Sequence, residues 1–356
     1  MSIHSSHILI CRTDNIGDVV LTFPIAARLK QMLPGVRISF LCRAYAASVV
    51  RFCKDVDQVF EVESVTDNLL RFFKQSGIDT VIMAQPDHDI IQAAFRAGVK
   101  HRIGNARQKI YQLIYCNRRI RFSKSTSDLH ESQLNFEFLQ AYGRRSIPSL
   151  DKMPSLYHFQ IPTIRDFEVL FRTHAFNLIL HAKSNGHGRE WPIEYYATLA
   201  EMLSSHPDIH LWLTGSAKEG EWLLQHGQAL LRRGNVTNVC GRFSLAELTS
   251  FIGQADGLIA SGTGPLHLSA AIGQRTLGLF PPTRPMHPGR WAPVGRRTWT
   301  LCCENSCANC EQITESSCDC MRKITPQHVA EIVQGWLIDT QNERELMTQQ
   351  TLSATA

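Results

Sequence analysis

Short apolar runs alternate with amphipathic stretches from the N-terminus onward. Residues 7–11, 38–42, 58–62 and 80–84 are runs of strand length, and the first reads as a strand buried on both faces of a parallel sheet. Between them, 19–33, 46–52 and 66–76 repeat apolar positions at helical spacing, the first closed by Pro34-Gly35. Strand–helix alternation at this spacing predicts a doubly wound parallel sheet. Residues 130–142 continue as a helix stopped by Gly143, and 147–163 carries Pro148, Pro154 and Pro162 with no clear period, which predicts an interdomain linker. The alternation then restarts, with strands predicted at 176–181, 210–214, 238–240, 257–260 and 276–280 and helices at 193–204, 219–232 and 245–253. The pattern predicts an α/β protein of two Rossmann-like doubly wound domains, 1–160 and 161–340, facing a central cleft. A polar, disordered tail is predicted for 341–356.

Two loops fall where such folds gather ligands, at the carboxyl ends of strands. The first, Arg12 to Asp18, is polar and contains one glycine, Gly17. It lacks the G-x-G-x-x-G fingerprint, which weighs against a dinucleotide oxidoreductase. The second, Gly262-Thr-Gly-Pro-Leu-His267, joins an apolar strand to a helix of small residues. Backbone N–H groups at that helix start make an anion site; Pro265 has none to give, so its neighbours must donate.

Composition adds three constraints. At 44% hydrophobic and 19% charged the chain is that of a globular protein, with no run of about 18 apolar residues to span a bilayer. It enters its first strand without the flanks of a secretory signal, so a cytoplasmic location is expected. Net charge is only +5 but uneven: 90–127 holds no Asp or Glu, while Arg96, Lys100, Arg102, Arg107, Lys109, Arg118, Arg119, Arg121 and Lys124 all fall there. Such a block favours an anionic membrane surface or a polyanionic partner, here other than nucleic acid.

Several stretches resemble one family. Ile8-Leu-Ile-Cys-Arg-Thr-Asp-Asn-Ile-Gly-Asp-Val-Val-Leu-Thr-Phe-Pro24 is similar to the opening of the ADP-heptose:lipopolysaccharide heptosyltransferases, glycosyltransferase family nine. Gly188-Arg-Glu-Trp-Pro192 resembles their Lys-x-Trp-Pro element, and Gly264-Pro-Leu-His-Leu-Ser-Ala-Ala271 with Phe280-Pro-Pro-Thr283 resembles two later blocks. The resemblance implies a GT-B fold and inverting transfer from a nucleotide sugar, with no cofactor required. It makes Asp18 the general base, with Asp14 the local competitor. It assigns Arg12, Arg189, Thr263, Gly264, Pro265, His267, Gly215 and Glu219 to the donor and its phosphates. Arg102, Arg118, Arg119 and His130, with Glu131 beside it, fall to the acceptor side. The implied reaction moves heptose from ADP-heptose to a lipopolysaccharide core or related glycolipid at the inner membrane's cytoplasmic face. One departure matters: Gly262 stands where the family carries an Asp for the donor sugar. Transfer of another nucleotide sugar is therefore the rival reading. A non-catalytic binding module is the other, and it requires Asp18 to point away from the cleft.

Five cysteines are scattered singly, whereas Cys302, Cys303, Cys307, Cys310, Cys318 and Cys320 crowd together. Cys307, Cys310, Cys318 and Cys320 form two close pairs of the kind that bind structural zinc; reduced thiols or a regulatory disulfide are the alternatives.

Overall fold

A computed structural model describes residues 3–355 apart from 145, 162–163, 165–166, 168–169, 172–174, 185, 187, 308–309 and 311–317, with side chains omitted over 347–355. The first sheet holds β1 (His7–Cys11), β2 (Arg37–Cys42), β3 (Gln58–Glu61), β4 (Thr80–Met83), β5 (His101–Asn105) and β6 (Arg118–Ile120), ordered β3-β2-β1-β4-β5-β6. The second holds β7 (Phe176–His181), β8 (Ile209–Leu213), β9 (Val236–Asn238), β10 (Gly257–Ser261), β11 (Arg275–Phe280) and β12 (Thr298–Cys302), ordered β12-β11-β10-β7-β8-β9. Every pairing within both sheets is parallel. The central strands β1 and β10 are buried throughout, as strands covered by helices on both faces must be. They end at Cys11 and Ser261, directly before the two loops singled out above.

Three strands were not legible in the apolar pattern. β5 and β6 lie inside the basic block, and β12 follows the last predicted strand. β6 and β12 sit at sheet edges, where one side faces solvent and polar or basic residues are tolerated. Of the predicted linker, the part up to residue 161 packs onto the first sheet's domain: Met153 and Leu156 are buried, and Phe159 bridges Cys53 through the backbone; 162–163 lie outside the described residues. The C-terminal helix, Pro326–Thr355, corrects the expected tail. Glu343 pairs with Arg275 at 3.1 Å and Arg344 with Asp256 at 3.4 Å, so its charged residues return it to β10 and β11.

The two halves meet through an apolar cluster that contains Ile10, Val19 and Phe23 from the first and Leu258, Leu266 and Phe280 from the second. At its edge the short helix Ile16–Val20 lies against the helix Gly264–Ile272. A Cβ on Gly264 would stand 2.0 Å from Ile16 Cγ2, and one on Gly17 would stand 2.8 Å from His267 Cδ2. Neither glycine is needed for a left-handed turn; both are needed because two backbones approach closely here.

Candidate active site

A cavity of about 600 Å³ opens where the carboxyl ends of the two sheets converge. The first half contributes Asn15, Ile16, Gly17 and Asp18 from the loop after β1, and Arg43 and Tyr45 from the segment after β2. The second contributes Lys183 and Arg189 from the loop after β7, Glu219, and Thr263 to Pro265 with His267. Phe280, Pro281, Met286 and Trp291 form an apolar wall.

Asp18 carries the distinctive electrostatics. Its side chain is 15% exposed and ion-paired to the buried Arg12 guanidinium. Burial, helped by Asp14 and Glu131, outweighs Arg12 and Lys124 and lifts the carboxyl to about 6. A carboxylate poised there is ionised at neutral pH yet basic enough to accept a proton. Arg12 was expected to bind donor phosphate, and the structure corrects this. It is 1% exposed and does not line the cavity; its nitrogens reach Asp14 at 2.8 Å, Glu131 at 3.0 Å and Asp18. Arg12 therefore holds the Asp18 carboxylate in place from beneath. Asp14, the competitor, pairs with Arg12 and does not line the cavity.

On the opposite wall, Thr263 caps the nine-residue helix Gly264–Ile272 with Pro265 at its second position. Thr263 Oγ1 and His267 Nδ1 are buried and have no hydrogen-bond partner among the described residues. Leaving such atoms unpaired costs about 1–3 kcal/mol each, a cost that an anion's oxygens at this helix start would remove. Burial, with His130 adding to it, lowers the His267 pKa to about 3, so His267 meets a ligand as a neutral imidazole. Lys183 lies over the Trp222 ring at 3.6 Å and pairs with Glu190 at 2.5 Å, fixing an ammonium at the cavity edge. Arg189 donates to Cys310 O at 3.1 Å. Glu219 closes a capping box with Ser216 and lines the cavity, whereas Gly215 does not.

The acceptor assignments fare differently. Arg102 folds back onto Tyr115 O at 2.6 Å and Val99 O and packs over Phe95. Arg118 and Arg119 are exposed on edge strand β6, and Arg119 donates to Cys116 O. None of the three lines the cavity; β5 and β6, which carry them, are the outermost strands on their side of the sheet. His130 is fully buried as the N-cap of the helix Glu131–Phe136. Its Nδ1 accepts the Ser132 N–H, so Nε2–H donates across the domains to Ala292 O at 2.9 Å. Burial holds its pKa at about 4. His130 therefore joins the halves and has no free edge for an acceptor.

Glu131, grouped with His130 on the acceptor side by the resemblance, stands at the centre of that junction. Glu131, 1% exposed, pairs with Arg12 and Lys124 from its own half and with Arg290 from the other. Burial alone would raise its carboxyl, but the three cations together hold it at about 2. Sequence reasoning missed Arg43, Tyr45 and Lys183, although each follows the carboxyl end of a strand, the rule that located Asp18.

The position of Gly262 has a steric correlate. A Cβ there would stand 2.9 Å from Phe280 Cε1, so the Phe280 ring fills the space that a side chain at 262 would enter.

The model of glycosyltransferase family 9 (heptosyltransferase) matches residues 69–320. The chain belongs to glycosyltransferase family 9. A Haemophilus influenzae protein named only at the level of glycosyltransferase is 26% identical to it over 81% of this chain and 86% of its own. The lipooligosaccharide heptosyltransferase 2 of the same organism is 23% identical, over 79% and 85%. The solved Escherichia coli ADP-heptose lipopolysaccharide heptosyltransferase II superposes with a TM-score of 0.72 at 18% identity, covering 94% of this chain and 99% of that one. The two facing parallel sheets are thus a GT-B fold, and this family-9 chain is a glycosyltransferase. Asp18 faces the cavity, which removes the condition on which the non-catalytic reading rested.

Proposed function

We propose that this enzyme moves a sugar, with inversion, from a nucleoside diphosphate donor to a hydroxyl of a lipopolysaccharide core or related glycolipid. The donor on this reading is ADP-heptose, as in the name of the E. coli structural relative. The observation that carries the proposal is the opposition of Asp18, lifted to about 6, to the helix start with its two unpaired polar atoms. Asp18 takes the acceptor hydroxyl proton as the anomeric carbon is attacked, and the diphosphate leaves toward Thr263, Lys183 and Arg189. The reaction uses no catalytic metal. A second reading, another nucleotide sugar, is favoured by the Phe280 ring beside Gly262, because the donor-sugar side then offers an apolar face in place of a carboxylate. A thermal-shift screen separates the two, since a ligand of the folded state raises its melting temperature. ADP and ADP-heptose are expected to stabilise the protein. Stabilisation by uridine, guanosine or cytidine sugars alone supports the second reading, and none from any nucleotide contradicts both.

The acceptor is lipid-linked on this reading, and one surface suits a bilayer. Ile110 and Ile114 are 78% and 64% exposed on and just before the helix Tyr111–Tyr115, after the carboxyl end of β5. Arg107, Lys109, Arg118 and Arg119 are exposed close by in the chain. Apolar side chains ringed by cations bind anionic membrane surfaces peripherally. The protein is expected to sediment with vesicles containing anionic phospholipid, and Ile110→Ser with Ile114→Ser is expected to weaken this about tenfold. Equal sedimentation of both proteins contradicts a docking role for this face.

A further inference from the structure

The sulfurs of Cys307, Cys310, Cys318 and Cys320 all lie within 4.8 Å of one another. Cys310, Cys318 and Cys320 are buried, at 1%, 5% and 0% exposure. Cys310 and Cys320 sulfurs are 3.6 Å apart. A tetrahedron of thiolates around one ion with about 2.3 Å metal–sulfur bonds has edges of about 3.8 Å. A disulfide would join two of these sulfurs and leave two more beside it, whereas one ion uses all four.

Hydrogen-bond donors converge on the sulfurs. Cys307 N–H donates to the Cys320 sulfur at 2.9 Å, and the Thr283 hydroxyl donates to the Cys310 sulfur. Donors aimed at sulfur support an anionic ligand and orient it toward a metal. The adjacent cysteines behave differently. Cys302 and Cys303 each direct S–H at a backbone carbonyl 3.3 Å away, as protonated thiols do. Cys320 Sγ reaches Asn305 O only at 3.9 Å and lies closer, at 3.6 Å, to Cys310 Sγ.

We infer that Cys307, Cys310, Cys318 and Cys320 bind one zinc ion, which fixes the Cys310 backbone and through it Arg189 at the edge of the donor cavity. Four sulfur ligands leave no open coordination position, so the ion is structural. The site does not line the cavity, but it touches it at two points. Arg189 donates to Cys310 O at 3.1 Å, and Thr283 ends the Phe280–Thr283 segment whose first residues form the apolar wall. Metal binding releases the thiol protons to solvent and changes no oxidation state. Arg189 is then aimed by the metal site, which makes Cys310 a positioning residue for donor binding. This last step rests on the nucleotide-donor reading above; occupancy by zinc does not.

Elemental analysis of the full-length protein, purified without chelator, is the test. About one zinc per chain is expected, with Cys318→Ser and Cys320→Ser losing it and the Cys302→Ser, Cys303→Ser double variant keeping it. Cobalt added to metal-stripped protein is expected to give the blue-green colour of a tetrahedral tetrathiolate site. Iron in place of zinc, or substoichiometric metal with no cobalt colour, or metal retained by the Cys318 and Cys320 variants, overturns the zinc site. For the coupling, ADP affinity is read by fluorescence titration. Stripping is expected to lower it about tenfold, the worth of one charge-assisted hydrogen bond, with recovery on adding zinc and no further loss in Arg189→Ala. ADP bound by wild type equally with and without metal overturns the coupling and leaves the metal analysis to stand on its own.

Discussion

Asp18→Asn is expected to lose about a hundred- to ten-thousand-fold in kcat, the range that a positioned general base contributes, while ADP binds as it does to the wild type. The substitution is nearly isosteric and keeps an oxygen for the Arg12 guanidinium. It touches none of Thr263, Lys183 or Arg189, which line the cavity from the other half. A loss of kcat without a matching loss of ADP affinity places the missing interaction in the transition state. Misfolding is separable by the sign of the titration. The folded-state pKa of Asp18 is raised from 3.8 to about 6, so its contribution to stability falls as pH rises through that interval. At neutral pH the ionised carboxylate opposes folding, and removing its charge is expected to leave the melting temperature unchanged or higher.

The opposite sign applies to Glu131. Its folded pKa is depressed from 4.5 to about 2, so it stabilises the fold fully above 4.5 and loses that contribution as pH falls toward 2. Glu131→Ala leaves Arg12, Lys124 and Arg290 close together with their shared anion gone. Removing one partner of a buried ion network costs about 3–5 kcal/mol. The variant is expected to unfold at lower urea at pH 7, with a gap to wild type that narrows below pH 4.5. Because Arg290 comes from the other half, the loss should extend to the junction, and Asp18 should lose the fixed position of its Arg12 partner. A urea midpoint equal to wild type at pH 7 contradicts the role assigned to this network.

What the sequence disclosed follows from which forces act locally. Apolar runs such as Ile8 to Cys11 and Leu258 to Ala260 must be buried on both faces wherever they lie, so the central strands and the loops after them were legible. Asp18 and the Thr263–His267 turn followed from that rule and from the family resemblance. β6 and β12 were not, since edge strands tolerate residues such as Arg118 and Thr298, and β5, His101–Asn105, was not because its short run carries only one large apolar residue, Ile103. The roles of Arg12, His130 and Glu131 were assigned wrongly or loosely for a different reason. Each is decided by partners far off in the chain: Glu131 by Arg290, His130 by Ala292, Arg12 by Glu131. Asp14 and Asp18 are near neighbours, but nothing in the local sequence says that Arg12 will also be engaged by Glu131 and so turned away from the cavity. The basic block shows the same limit. Its lack of acids was plain, but only the fold divides Lys124 and Arg102, turned inward, from Arg107 and Lys109, turned out.

The most direct test of the central claim is the pH dependence of kcat/KM for wild type and Asp18→Asn, measured over roughly pH 4.5 to 8 with donor and glycolipid acceptor. Wild-type activity is expected to fall on the acid side with an apparent pKa near the value of about 6 set for Asp18 by burial. The variant is predicted to lack that limb and to stay far below wild type throughout. An unchanged acid limb in Asp18→Asn, or wild-type turnover in that variant, would contradict the assignment of Asp18 as the base.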